Sequence, residues 1–279
     1  MPAPVLVTTE WLEAHLDDPA VKVIEVLASD ESSDYADGHV PGAVRWFWKG
    51  ALWHETDREF PAPDEMARRL GGADIREGDT IVLYGGLIQF ATYAFWVLKM
   101  NGHPDVRMLD GSRRKWLAEG RPLEVEPPRT EPAEYRPQPA DQSSRVGRDD
   151  VRAHLDALGR LLLDVRTPEE YAGERVGVAP GPDHGAERSG RIPGSVHLFF
   201  RELLNEDDTF RDEQALRKAL DGVGVTAGSG RETVVYCRLS HRATLAWFVM
   251  RYLLGFEDVR VYDGSWTEWG SIVGFPIER

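Results

Sequence analysis

The chain has a single cysteine in 279 residues, Cys237. That count excludes an internal disulfide and any multi-cysteine zinc or iron–sulfur site. No apolar run approaches the roughly 18 residues that a membrane helix needs. Positive charge is also scarce: 33 Lys and Arg face 47 Asp and Glu, a formal net charge of −14. Such a balance argues against nucleic acid or an anionic membrane as partner. The opening residues, Met1-Pro2-Ala3-Pro4-Val5-Leu6-Val7-Thr8, lack the basic and apolar regions of a secretory signal. His54, His103 and His184 show no metal-ligand spacing with one another, so neither a metal nor an organic cofactor is expected. Together these absences predict a cytoplasmic protein in a reducing compartment, where a free thiol persists.

What the chain does have is core material and repetition. Hydrophobic residues make up 42%, with nine Trp, ten Phe and eight Tyr, ample for packed interiors. Length alone predicts about two domains, and the two halves resemble each other. Gly38-His39-Val40-Pro41-Gly42-Ala43-Val44 recurs as Gly190-Arg191-Ile192-Pro193-Gly194-Ser195-Val196. Thr80-Ile81-Val82-Leu83-Tyr84 recurs as Thr233-Val234-Val235-Tyr236, and Gly102–Trp116 recurs as Gly255–Trp269. Two copies are too few for a solenoid, so each is read as a domain. The Pro-rich stretch between them reads as an extended linker, giving expected boundaries of 1–122, a linker at 123–147, and 148–279.

Within each copy short β-branched runs alternate with helix-like segments. In the second copy the expected strands are Leu161–Val165, Ser195–Leu198, Thr233–Tyr236 and Val259–Tyr262. The expected helices are Arg148–Leu158, Glu169–Gly173, Glu213–Gly222 and Ala243–Leu254. This alternation predicts an α/β fold: two tandem domains, each a mainly parallel sheet with helices on both faces. In open sheets of this kind ligands bind at the carboxyl ends of the strands, and Cys237 follows a strand directly.

A lone cysteine is more often an inert, buried small hydrophobe than a nucleophile. The context of Cys237 reverses those odds. Cys237-Arg238-Leu239-Ser240-His241-Arg242 reads as a strand-to-helix loop, with two arginines where the chain should turn. Loop amides and a helix N-terminus favour an anion there, and that is the setting of a reactive thiolate. The first copy serves as an internal control. Opposite Cys237 it carries Gly85, and neither loop arginine has a counterpart. The Glu174–Ser189 stretch reads as a lid or an irregular surface loop, and Glu206-Asp207-Asp208 as a solvated turn. Trp46, Phe47, Trp48 and Trp53 read as interface packing. Asp164 and Arg166 read first as a structural ion pair at the active edge.

In this order the motifs resemble a tandem-domain rhodanese, a thiosulfate sulfurtransferase-like protein. The residues that carry the resemblance are Gly38–Ala43, Asp164-Val165-Arg166 with Glu170-Tyr171, the Cys237 loop, and Asp263-Gly264-Ser265-Trp266-Thr267-Glu268-Trp269. The resemblance implies that Cys237 takes the sulfane sulfur of thiosulfate as a persulfide and passes it to cyanide or a thiol. A thioredoxin-like protein is the implied kind of acceptor. It also implies substrate-binding roles for Arg238, Leu239, Ser240, His241, Arg242 and Arg166. Phosphatases of related fold use Cys-x5-Arg, one residue longer than the Cys-x4-Arg of Cys237 and Arg242. Mercaptopyruvate sulfurtransferases, the alternative in class, typically carry an uncharged loop and an arginine at the position of Glu170. The alternative outside enzymes is a persulfide relay without free turnover. This chain departs from the thiosulfate pattern at Leu239 and Ser240, where many members carry Lys and Gly.

Overall fold

The structure, a computed structural model, describes residues 4–279. It divides into two compact units, one comprising the chain up to Gln142 together with Glu206–Thr209, the other Ser143–Asn205 with Phe210–Arg279. The first unit holds strands β1 (Leu6–Val7), β2 (Val21–Leu27), β3 (Val44–Phe47), β4 (Thr80–Tyr84) and β5 (Val106–Leu109). The second holds β6 (Arg145–Val146), β7 (Arg160–Asp164), β8 (Val196–His197), β9 (Glu232–Tyr236) and β10 (Val259–Tyr262).

Both sheets are parallel and share one topology: β1-β5-β4-β2-β3 in the first unit and β6-β10-β9-β7-β8 in the second. Ile81 to Tyr84 of β4 and Thr233 to Tyr236 of β9 are buried without a break. Since successive side chains point to opposite faces, the two central strands are covered on both faces, as their continuous apolar sequences demand. The expected α/β architecture, duplicated, is the one observed.

The differences lie at element ends. β6, placed by the sequence inside the linker, pairs in parallel with β10. Two residues carry too little periodicity to be read as a strand, and only the neighbour makes them one. The rest of the linker, extended as expected, lies against the first unit: Ala133 N–H donates to Gly71 O and Asp141 N–H to Met100 O. The turn at Glu206-Asp207-Asp208 is not merely solvated, because Asp207 accepts a 3.2 Å bond from Lys115 Nζ. Of the aromatics after the first Pro-Gly motif, Trp48 lies 4.6 Å from Trp53 and 5.9 Å from Tyr93 between ring centroids.

The helix after Cys237 starts earlier than its apolar run. It spans His241–Phe248 and continues as a π-helical turn over Val249–Leu253. His241 and Arg242, read as loop residues, are therefore its first two residues. Both are buried, which polar side chains tolerate only with partners close by.

Candidate active site

Three strand ends of the second sheet converge on one edge. β7 ends at Asp164 and leads into Val165-Arg166, β9 ends at Tyr236 before Cys237, and β10 ends at Tyr262 before Asp263-Gly264-Ser265. Neighbouring strands in register put these exits side by side. Cys237, 1% exposed, sits in the centre strand's exit.

The loop itself is Cys237–Ser240, and it is fastened from the β10 side. Cys237 N–H donates to Ser265 Oγ at 3.2 Å, and Ser265 Oγ donates to Tyr262 O at 2.9 Å. The carbonyls of Cys237 and Arg238 accept from Trp266 N–H and Thr267 N–H at 2.9 and 3.0 Å. Ser240 turns the chain into the helix with φ 70°, a left-handed conformation that favours glycine. Its hydroxyl compensates by bonding to Asp263 O and, at 3.2 Å, to Asp263 Oδ1. That is the physical reason a serine stands where the resemblance expects glycine.

With the carbonyls of Cys237 and Arg238 turned to these donors, the amide N–H groups of Arg238, Leu239 and Ser240 find no protein acceptor among the described residues. Consecutive amides without an acceptor ahead of a helix N-terminus are the makings of an anion cradle, and they directly follow Cys237 in the chain.

The two loop arginines have different situations. Arg242 is held by Glu170 in a two-pronged pair, Nη1 to Oε2 at 2.6 Å and Nη2 to Oε1 at 2.9 Å. Burial works against the Arg242 charge, but Glu170 and a thiolate at Cys237 outweigh it, so its proton is held more firmly than usual. Glu170 is placed by its own helix, Pro168–Ala172, through a capping box with Thr167. Burial pushes its carboxyl up, yet the bonds and charge of Arg242 win and bring it below the usual carboxylate range. Arg238 is half-buried, forms no ion pair among the described residues, and donates from Nη1 to His184 O at 3.2 Å.

Arg166 follows β7 at the same edge. It is fully buried, donates to both oxygens of Asp164 and to Gly190 O, and lies 4.6 Å from the Trp266 ring. This is the ion pair expected first from the sequence, and Arg166 Nη1 is buried without a hydrogen-bond partner among the described residues. Leu239 is partly exposed at the rim, and His241 is buried in the first helical turn.

The first unit repeats this frame without the chemistry. Ser112 Oγ accepts from Gly85 N–H at 2.9 Å, as Ser265 does from Cys237. A Cβ on Gly85 would lie 2.4 Å from Val26 O, so the backbone there leaves no room for a thiol. Glu25 stands where Asp164 stands, and it too is buried against a guanidinium, Arg113 at 3.1 Å. The arginine has moved, however. Leu27 occupies the position of Arg166, and Arg113 occupies the position of Trp266.

The comparisons with known proteins agree with this frame. The Rhodanese-like domain family model matches residues 8–119 and 147–272. The chain belongs to the rhodanese family. It is 42% identical over 279 residues to the sulfur carrier protein TtuD of Thermus thermophilus, covering 99% of this chain and 96% of that one. It is 40% identical to a Saccharopolyspora erythraea protein named "Putative thiosulfate sulfurtransferase", again over 99% and 96%. Among solved structures it is similar to an anaerobic ergothioneine biosynthesis enzyme from Chlorobium limicola, with a TM-score of 0.84 and 25% identity over 98% of this chain and 70% of that one. A persulfide form of EanB with ergothioneine matches with a TM-score of 0.85 at 25% identity, over the same shares.

Two rhodanese site features lay outside the sequence reading. Ser265 lies inside the C-terminal motif, and its recurrence as Ser112 beside the matching loop is the signal that marks it. Glu170 is among the residues that carry the family resemblance, which assigns it no role at the site. Its spacing from Thr167, a Thr-x-x-Glu capping pattern, marked it as a fixed carboxylate, but nothing local pointed to Arg242 as its partner.

Proposed function

We propose that this rhodanese transfers the sulfane sulfur of thiosulfate to a thiol or cyanide through a persulfide on Cys237. The observation that carries the reading is the trio of amides at Arg238, Leu239 and Ser240, without an acceptor among the described residues, directly after a thiol at the strand exit. In the first step the Cys237 thiolate attacks the outer sulfur, the S–S bond of thiosulfate breaks, and sulfite leaves with the electron pair. The terminal sulfur of the Cys237 persulfide then carries the negative charge, and preorganised N–H donors stabilise charge where it develops. In the second step a cyanide or thiolate attacks that terminal sulfur and returns Cys237 as thiolate. Arg238 contributes an un-neutralised cation for the dianionic donor, and Arg242, tied to Glu170, sets the charge beneath the loop. A phosphatase reading loses support on the same ground, since Arg242 already has a carboxylate on both prongs.

A relay function is the second reading, favoured by the likeness to a protein named a sulfur carrier and by the 1% exposure of Cys237. Intact mass separates the two. A gain of about 32 Da on incubation with thiosulfate, lost on adding cyanide, marks a covalent sulfur intermediate with free turnover. A gain that cyanide leaves in place assigns the protein to the relay class. No gain with thiosulfate but a gain with mercaptopyruvate transfers the reading to that donor.

A further inference from the structure

The stretch between Tyr171 and Gly190 is a large feature of the cysteine-bearing copy with no counterpart in the other. The two copies match closely on either side of it. Tyr35 donates to Ala43 O at 2.6 Å and Tyr171 to Ser195 O at 2.7 Å. Gly38 and Gly190 have φ of 144° and 131°. The residues after them form equivalent antiparallel bridges, His39 with Glu124 and Arg191 with Glu278. From tyrosine to glycine is a step of 3 residues in the first copy and 19 in the second.

The extra chain is internally braced. Asp183 Oδ1 accepts from Val176 N–H and Gly177 N–H at 2.7 and 2.8 Å, and Arg175 donates to Gly177 O and Gly181 O. Arg188 fastens its far end by donating to the carbonyls of Trp269, Gly270, Ile272 and Phe275. Its tip meets the catalytic loop. His184 O receives Arg238 Nη1, and the bare Cα of Gly185 lies against the same side chain, so close that a Cβ there would sit 3.2 Å from Arg238 Cδ.

A carbonyl partner differs in kind from a carboxylate. Asp164 and Glu170 neutralise Arg166 and Arg242, whereas His184 O orients Arg238 and leaves its full positive charge. We propose that the 174–189 insertion is a specificity element: it holds the Arg238 cation in position to take the sulfonate end of a dianionic sulfur donor. The proposal rests on the sulfurtransferase reading and adds to it a reason for donor selection by charge. Gly185 and His184 are thereby positioning residues, acting through Arg238.

The test is steady-state kinetics of the full chain with thiosulfate, a dianion, and methanethiosulfonate, a monoanion that also carries a sulfane sulfur. Arg238→Ala, at a half-exposed loop position, lowers the preference for thiosulfate in kcat/KM about tenfold, the scale of one charge-assisted contact. Gly185→Ala, which crowds Arg238, shifts the same ratio by about fivefold through KM, with kcat within twofold. Combining the two gives no more than Arg238→Ala alone, because both act on one cation. Excision of 174–189 supplies an independent variant, since Gly173 and Gly190 are already in contact, and it reproduces the Arg238→Ala ratio. An unchanged donor ratio in Arg238→Ala or in the excised chain overturns the proposal, as do additive effects in the double variant. If the wild-type protein takes up no sulfur from thiosulfate, the underlying reading falls with it. If it does and the ratios stay put, the specificity role alone is lost.

Discussion

At the scale of single residues, the site divides into one reactive atom and the charges that frame it. Cys237→Ser replaces the thiol by a hydroxyl of similar size, so it abolishes sulfur uptake in the mass assay and leaves the circular dichroism spectrum unchanged. Glu170→Ala has a different signature. It strands the buried guanidinium of Arg242, and leaving one charge of such a pair uncompensated costs about 3–5 kcal/mol. Faster hydrogen exchange in β9 and the helix His241–Phe248, together with reduced sulfur uptake, is the expected result. Native-like exchange in that variant would show that Arg242 finds another anion. Cys237, the loop arginines and the Asp164–Arg166 pair were legible in the sequence, since each stands at a turn signal or a strand end. The partnership of Glu170 with Arg242 was not, because 72 residues separate them and only the parallel sheet brings their helices to one edge.

At the scale of elements, the strand that carries the nucleophile is rigid on both faces and its loop is tied to the next strand exit. The sequence revealed the strands Val259–Tyr262 and Thr233–Tyr236 almost to the residue, because short β-branched and aromatic runs read as strands. The start of the helix after Cys237 was less legible. His241 and Arg242 are polar residues at buried positions, so an apolar pattern cannot include them. The 174–189 insertion lacks periodicity altogether, and its order comes from Asp183, Arg175 and Arg188 bonding to backbone groups. Arg188→Ala removes four hydrogen bonds from one guanidinium, and each bond to a charged group contributes about 1.5–3 kcal/mol. The expected outcome is early proteolytic cleavage within the insertion, read by peptide mapping, ahead of any loss of the β9 core. In the other unit, Gly85→Cys gives no second sulfur-accepting site. The 2.4 Å approach of Val26 O forces the backbone apart, and a lower melting temperature replaces any gain of function.

At the scale of the whole molecule, one buried carboxylate in each unit, Glu170 in the second and Glu25 in the first, responds to acid in the opposite sense to the other. The carboxyl of Glu170 lies below its usual range, so its ionised form stabilises the second unit above the ordinary carboxylate pKa, about 4.3. That contribution fades as pH falls through the lowered native value. Glu25 is opposite. Burial raises its carboxyl, and the bond from Tyr84 and the charge of Arg113 only partly offset this. Its ionised form therefore weighs against the first unit as pH rises. Glu170→Gln is thus destabilising at neutral pH, with the deficit closing in acid. Glu25→Gln improves relative to the wild type as pH rises past the ordinary carboxylate range. Hydrogen exchange of β9 and β4 across pH 3 to 7 reads the two separately, and parallel slopes would contradict the assignment.

The relocated arginine has a consequence for how the two copies are compared. Aligned position by position, Leu27 against Arg166 and Arg113 against Trp266 score as two unrelated replacements. In space they are a single exchange that keeps one guanidinium on one buried carboxylate. A covariation search restricted to either column would find no signal; the conserved quantity is a charge at a location, and it can migrate between segments 86 positions apart. Descendants of a duplication can therefore preserve an interaction while every letter that encodes it changes.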